Sequence, residues 1–327
     1  MVRRRLWSSF GFAGFAFATP MLAQTGAEPA PHPCDSQTGA TKAVCRAGYD
    51  AVTTIVLVGA LVASGGNPHL GTAGGGRGFG DLGFTFRGTV VRTILPSTAY
   101  NGTTDTVPAA RRLPVVAPSL DMRMGLLNKA LPVGTASVDF LATILGVPER
   151  ATDYVRFSAD ARRLAGLALG FGYGLRIGMQ PKGPLPVASL NVGRHDFPKF
   201  TVGDLNAGSQ YAYTVAISAI NVRLMVGKRF GGFEFTAGGG ADLMKGNYSI
   251  VFRDQDSLTV APRADSTVST MRIVTVTNAS FLLGRVARLT FEGGFQIGKD
   301  EKLPTVFAAT NTKSGRFFGS MGLGFKL

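Results

Sequence analysis

From about residue 80 onward the chain alternates. Its final stretch, GRFFGSMGLGFKL, sets Phe317, Met321, Leu323, Phe325 and Leu327 among Arg316, Ser320, Gly322, Gly324 and Lys326. A period of two marks a strand whose two faces meet different surroundings. The pattern recurs over residues 80–95, 117–127, 133–146, 163–179, 186–195, 209–228, 231–253, 266–283 and 286–298. In 209–228 the apolar phase changes between Ile217 and Val222, which predicts a bulge near Ala219–Asn221. The intervals alternate in length. Residues 96–116, 147–162, 196–208, 254–265 and 299–314 are long, whereas those around Lys129-Ala130, Lys182-Gly183, Arg229-Phe230 and Gly284-Arg285 are short.

Arg92 and Arg194 fall in the apolar phase, near strand ends on the external side, but twelve charged residues within these stretches share the polar phase. They are Arg87, Asp121, Arg123, Asp139, Arg176, Arg223, Glu234, Asp242, Arg272, Arg288 and Glu292, with Lys326 in the last strand. An Arg or Lys facing lipid at the bilayer midplane costs about 2–4 kcal/mol. If the apolar phase meets lipid, these side chains are the predicted lumen lining. Acids and bases are nearly balanced, so pairing across a narrow lumen is expected. Charged residues make up 17% of the chain against the usual ~25%, which suits a surface that faces lipid.

Alternating strands, long and short connections in turn and the terminal strand resemble bacterial outer-membrane β-barrel proteins. The terminal strand differs by ending on Leu327, with Phe325 two residues earlier. The resemblance implies an all-β fold, an antiparallel up-and-down transmembrane barrel of about 10 strands (12 is the alternative) over residues 80–327. It implies short turns in the periplasm and long loops outside. It also implies outer-membrane lipid, lipopolysaccharide and, through the C-terminal strand, the barrel-assembly machinery as partners.

The N-terminus agrees with export. MVRRRLWSSFGFAGFAFATPMLAQ carries three arginines, an apolar run and small residues, the pattern of a signal peptide cleaved near Ala23. Residues 24–79 then form a periplasmic segment. Cys34 and Cys45, the only cysteines, are expected to pair in the oxidising compartment. The apolar run Ala51–Ala63, between Asp50 and Gly65-Gly66, predicts a short helix at the periplasmic mouth or the inner bilayer surface, with a buried extra strand as the alternative. GGNPHLGTAGGGRGFG reads as a hinge. Its Asn67-Pro68 resembles the Asn-Pro-Ala stretch near the start of the long-chain fatty-acid transporter family, whose barrels have more strands.

No cofactor or metal site is expected, since His32, His69 and His195 are far apart in the chain. A formal charge of +14 could suit nucleic acid, but the export signal excludes that partner. His195-Asp196, with Asp105, Asp153, Asp160 and Asp204 in long intervals, outlines a rim hydrolase, and no wider motif accompanies it, so no catalytic residue is assigned. The expected function is a porin-like narrow channel or passive transporter for small solutes, with room left by the inward glycines of 166–178. A closed structural or surface-interaction barrel is the alternative, and a hydrolase of the external rim the third reading.

Overall fold

In a computed structural model, residues 33–149, 155–260, 263–284, 286–298 and 315–326 are described. The expected signal peptide at 1–23 and the terminal Leu327 lie outside them. Ten antiparallel strands close on themselves: β1 (Leu82–Pro96), β2 (Ala109–Leu131), β3 (Gly134–Pro148), β4 (Leu167–Pro181), β5 (Val187–Asp196), β6 (Tyr211–Phe230), β7 (Phe233–Phe252), β8 (Ala264–Leu283), β9 (Ala287–Ile297) and β10 (Arg316–Lys326). Each pairs with its neighbour in sequence, and β10 pairs with β1 from Gly83 opposite Lys326 to Val91 opposite Phe318. Closure leaves no lipid-facing edge, the condition for strands in a bilayer.

The connections keep the expected rhythm: 132–133, 182–186, 231–232 and 284–286 are short, while the others are long. At the long-loop end, short strands at 155–157 and 200–202 extend the wall beside β6. The strand expected to run back to Arg163 instead begins at Leu167. Ala165 and Gly166 adopt positive φ and turn the chain there, leaving 163–164 as a separate short strand.

Phe86, Tyr173, Leu175, Ile177, Leu243, Met271, Phe291 and Met321 are exposed on the outer wall, while charged residues of the opposite phase are buried inside. Phe233, Phe281 and Phe291 make edge contacts across neighbouring strands, stiffening the apolar wall.

The N-terminal segment departs from expectation. Its helix, α1, spans Gly39–Ser64 and lies inside the barrel, with nearly every side chain from Val44 onward buried. It does not stand at the short-turn mouth. The helix starts earlier than Ala51 because residues 39–50 contain no proline and their one internal glycine, Gly48, is tolerated, and Asp50, expected as the start signal, is an interior position. Gly65 ends it as expected, at φ 59°, donating its N–H to the Leu61 carbonyl at 2.9 Å.

The wall explains how an apolar helix fits inside. Tyr211, Tyr213, Val215 and Ile217 of β6 point inward together with Asn221 and Arg223, so the phase never changes and no bulge occurs at 219–221. The inner face itself turns from polar to apolar along the strand. Ile250, Phe252, Tyr248 and Met244 of β7 do the same, and these residues pack with Val52, Val56 and Leu57 of α1 in one buried cluster. Glycines permit the close approach. A Cβ at Gly246 would come within 2.3 Å of Val56 Cγ2, and one at Gly59 within 2.6 Å of Ile217 Cδ1.

The first turns of α1 sit at the long-loop end. Cys34 and Cys45 form a disulfide and are buried with Tyr100 and Val107 of the 97–108 loop. The expectation of a disulfide loop at the short-turn end is therefore corrected. The short apolar run by itself suggests a separate unit, but its burial partners include a loop at the far end of the barrel. Asp35 pairs with Lys42 at 3.1 Å and Arg46 at 3.5 Å. Thr41 donates to Asp254 at 3.1 Å and accepts from the Gln255 N–H at 3.0 Å, tying the helix to the 253–263 loop.

Two expectations follow. Gly246→Leu should overpack the helix seat and destabilise the folded barrel by about 1–3 kcal/mol, seen as a lower urea midpoint in lipid vesicles. Bonds from the Asp256 N–H, the Ser257 hydroxyl and the Thr41 hydroxyl hold the Asp254 carboxyl below the usual carboxylate range. A depressed pKa contributes stability above the unfolded value of about 3.9 and loses it as pH falls through the folded value. Amide exchange across residues 39–46 should thus be flat from pH 7 to 5 after correction for intrinsic rates. It should rise as the pH falls below about 4, and Asp254→Asn should abolish that step.

Candidate functional site: the occupied lumen

Below α1 the chain has no regular structure until β1. Residues 65–80 run down the lumen to the short-turn end. Such backbone carries donors and acceptors that no ladder satisfies, and leaving them unpaired in a dry interior costs about 1–3 kcal/mol each. The buried charges of the wall meet this need.

At the level of the helix end, Arg223 donates to the Gly66 carbonyl at 3.3 Å and pairs with Asp242 at 2.5 Å. Asp242 also accepts from Gln296 at 3.2 Å and lies across from Arg272 in the β7–β8 register. Arg87 donates to the Asn67 carbonyl at 2.6 Å and pairs with Asp121 at 3.0 Å. Glu292 accepts the Asn67 N–H at 2.8 Å.

Lower down, Arg288 and the Ser280 hydroxyl donate to the Gly71 carbonyl at 2.6 and 2.9 Å, and Arg288 pairs with Glu234 at 3.2 Å. Arg176 donates to the Thr72 carbonyl at 3.4 Å. Asp139 accepts the Gly76 N–H through both carboxylate oxygens at 3.0 Å and stands 3.8 Å from Arg123 and 4.0 Å from Arg176. Arg123 also reaches Asp81 at 3.2 Å, and Asn128 donates to the Gly76 carbonyl at 2.9 Å.

Of the expected lumen set, ten residues are buried and Arg288 is half-buried, and most contact either residues 65–80 or a partner that does. Sequence reasoning missed Asn67, Thr72, Asp81 and Asn221. Only Asn67, beside Pro68 in the hinge, carried a local signal. The glycines of β4, expected to leave a passage, are occupied. A Cβ at Gly178 would meet the Gly75 backbone at 2.7 Å, and one at Gly172 would meet the His195 ring at 2.3 Å.

His195 lies inside the barrel, 3.2 Å from Asn221, whereas Asp196 points outward to Arg194 at 3.1 Å. Strand alternation separates the two, so they make no dyad. Among the described residues no cluster of three His, Cys, Asp or Glu side chains could hold a metal ion.

No family model and no curated protein matches the chain. Solved structures with a similar fold are outer-membrane barrels. The outer membrane protease OmpT of Escherichia coli is 9% identical with a TM-score of 0.36, covering 76% of this chain and 95% of its own. The translocator domain of the autotransporter NalP of Neisseria meningitidis is 11% identical with a TM-score of 0.36, covering 75% and 88%. The toluene transporter TodX of Pseudomonas putida is 10% identical with a TM-score of 0.29, covering 81% and 97%. On its own geometry, a closed ten-strand wall with an apolar outside and a charged inside, this chain has the fold of a membrane-spanning β-barrel.

Asp242 is the carboxylate between Arg223 and Arg272, so removing it strands buried positive charge. Asp242→Ala should cost about 3–5 kcal/mol in urea unfolding from vesicles. Exposed Asp265→Ala, whose pair with Arg263 is solvated, should change stability by less than about 1 kcal/mol.

Proposed function

We propose that this protein is a closed outer-membrane barrel, stoppered by its own N-terminal segment, that presents its long-loop face outside the cell. The observation that carries this reading is that α1 and residues 65–76 lie buried or half-buried inside the lumen. A constitutive solute channel needs a continuous water path, and here helix, hinge and paired charges occupy that path. Exposed Arg92, Arg162 and Lys245 on the outer wall near the long-loop end suit the phosphates of lipopolysaccharide, with Arg162 set 5.1 Å over the Phe171 ring. The loop face would then act as an interaction surface. Its strands at 155–157 and 200–202 are held together by the β-ladder and the Arg156–Asp204 pair.

Planar-bilayer recording tests this. The mature chain, refolded and verified by heat-modifiable migration, should be electrically silent. A chain lacking residues 33–79 but retaining heat-modifiable migration should show stepwise conductance. Stepwise current from the intact protein would overturn the closed reading and restore the channel.

A further inference from the structure

The short-turn end of the lumen is not fully occupied. Residues 74–76 press against β3 and β4, where a Cβ at Gly75 would meet Ser137 Oγ at 1.6 Å. On the opposite side, the inward positions Gly83 and Gly324 carry no side chain. A cavity of about 540 Å³ remains between the threaded segment and that wall, opening beside the β8–β9 turn. Its volume falls within the range of small-molecule sites, about 300–1,000 Å³.

The lining is strongly cationic. Arg77, Arg123, Arg229, Arg288 and Lys326 surround the cavity, with His69 at its inner end. Two carboxylates stand close by: Asp81, 3.2 Å from Arg123 and 3.5 Å from Lys326, and Glu234, 3.2 Å from Arg288. Asp139 lies behind, shared by Arg123 and Arg176. Among the described residues, three positive charges around the cavity are left over. Arg77 and Arg229 are exposed at the mouth, and Arg229 is directly opposite Glu234 in the β6–β7 register. The lumen at the helix level balances its charges, so this excess is local to the vestibule. Low-dielectric walls lined by one sign of charge focus the field and concentrate counter-ions.

We propose that this vestibule binds a small soluble phosphate-bearing anion from the periplasmic side. Four of the five cations are arginines, whose planar forks match phosphate oxygens in pairs. Arg288 and Arg123 are already fixed by Gly71 and Asp81, so the inner part of the site is preorganised, while Arg77 and Arg229 can fold over an entering ligand. The wall separates the cavity from lipid chains, which favours a free solute over a lipid headgroup. The site is independent of whether the barrel conducts.

The test is calorimetric titration of pyrophosphate into the mature protein, folded in a non-ionic detergent at low salt. One saturable site is expected. Arg77→Gln/Arg229→Gln should weaken it at least tenfold with heat-modifiable migration unchanged. Lys129→Gln/Lys182→Gln, which removes two cations near neighbouring short turns and outside the cavity, should leave it within twofold. Absence of saturable binding by the wild type, or equal weakening in both double variants, would overturn the site. Displacement of pyrophosphate by phosphatidylglycerol micelles would overturn the solute assignment in favour of a lipid headgroup.

Discussion

Irregular backbone inside a membrane barrel has no water to turn to, and that constraint organises the whole interior. Seventeen residues between α1 and β1 cross the lumen without a ladder of their own. Arg87, Arg223, Arg288 and Arg176 each give a guanidinium hydrogen bond to a carbonyl of this segment, and Glu292 and Asp139 each accept an N–H from it. The wall's acid–base pairs therefore do more than neutralise one another. They hold the chain that fills the barrel.

A second consequence is the division of the lumen into two halves. Where a helix satisfies its own backbone, the wall can be apolar, as Tyr211, Tyr213, Ile217 and Ile250 show. Where the backbone is irregular, the wall must be polar and charged. The boundary falls near Asn221 and Asp242, level with the end of α1. Along β6 and β7 the inner face changes character there without any change of register.

The barrel was legible from the sequence because strand alternation and loop length are local. The ten strands, their order of long and short connections and the phase of Arg176 or Asp242 need only a period of two and a cost for charge in lipid. The helix end at Gly65 was legible for the same reason. The bulge expected at Ala219–Asn221 was a misreading of the same period. Apolar residues early in β6 read as lipid-facing because nothing local shows that the apolar run at 51–63 lies inside the barrel to meet them. The short-turn placement of the disulfide failed likewise. Cys34 and Cys45 are near each other in sequence, but Tyr100 and Val107, which bury them, belong to a distant loop.

Sequence alone thus determined the wall: closed antiparallel strands, an apolar exterior, a charged inner phase and the pairing of the only two cysteines. Tertiary structure decided what lies within it. Whether residues 33–80 stand beside the barrel or inside it depends on complementarity between Gly59 and Ile217, Gly246 and Val56, and Gly75 and Ser137. These contacts join positions far apart in the chain. No periodicity records them, because each is a fit between two surfaces that exist only once the barrel has closed.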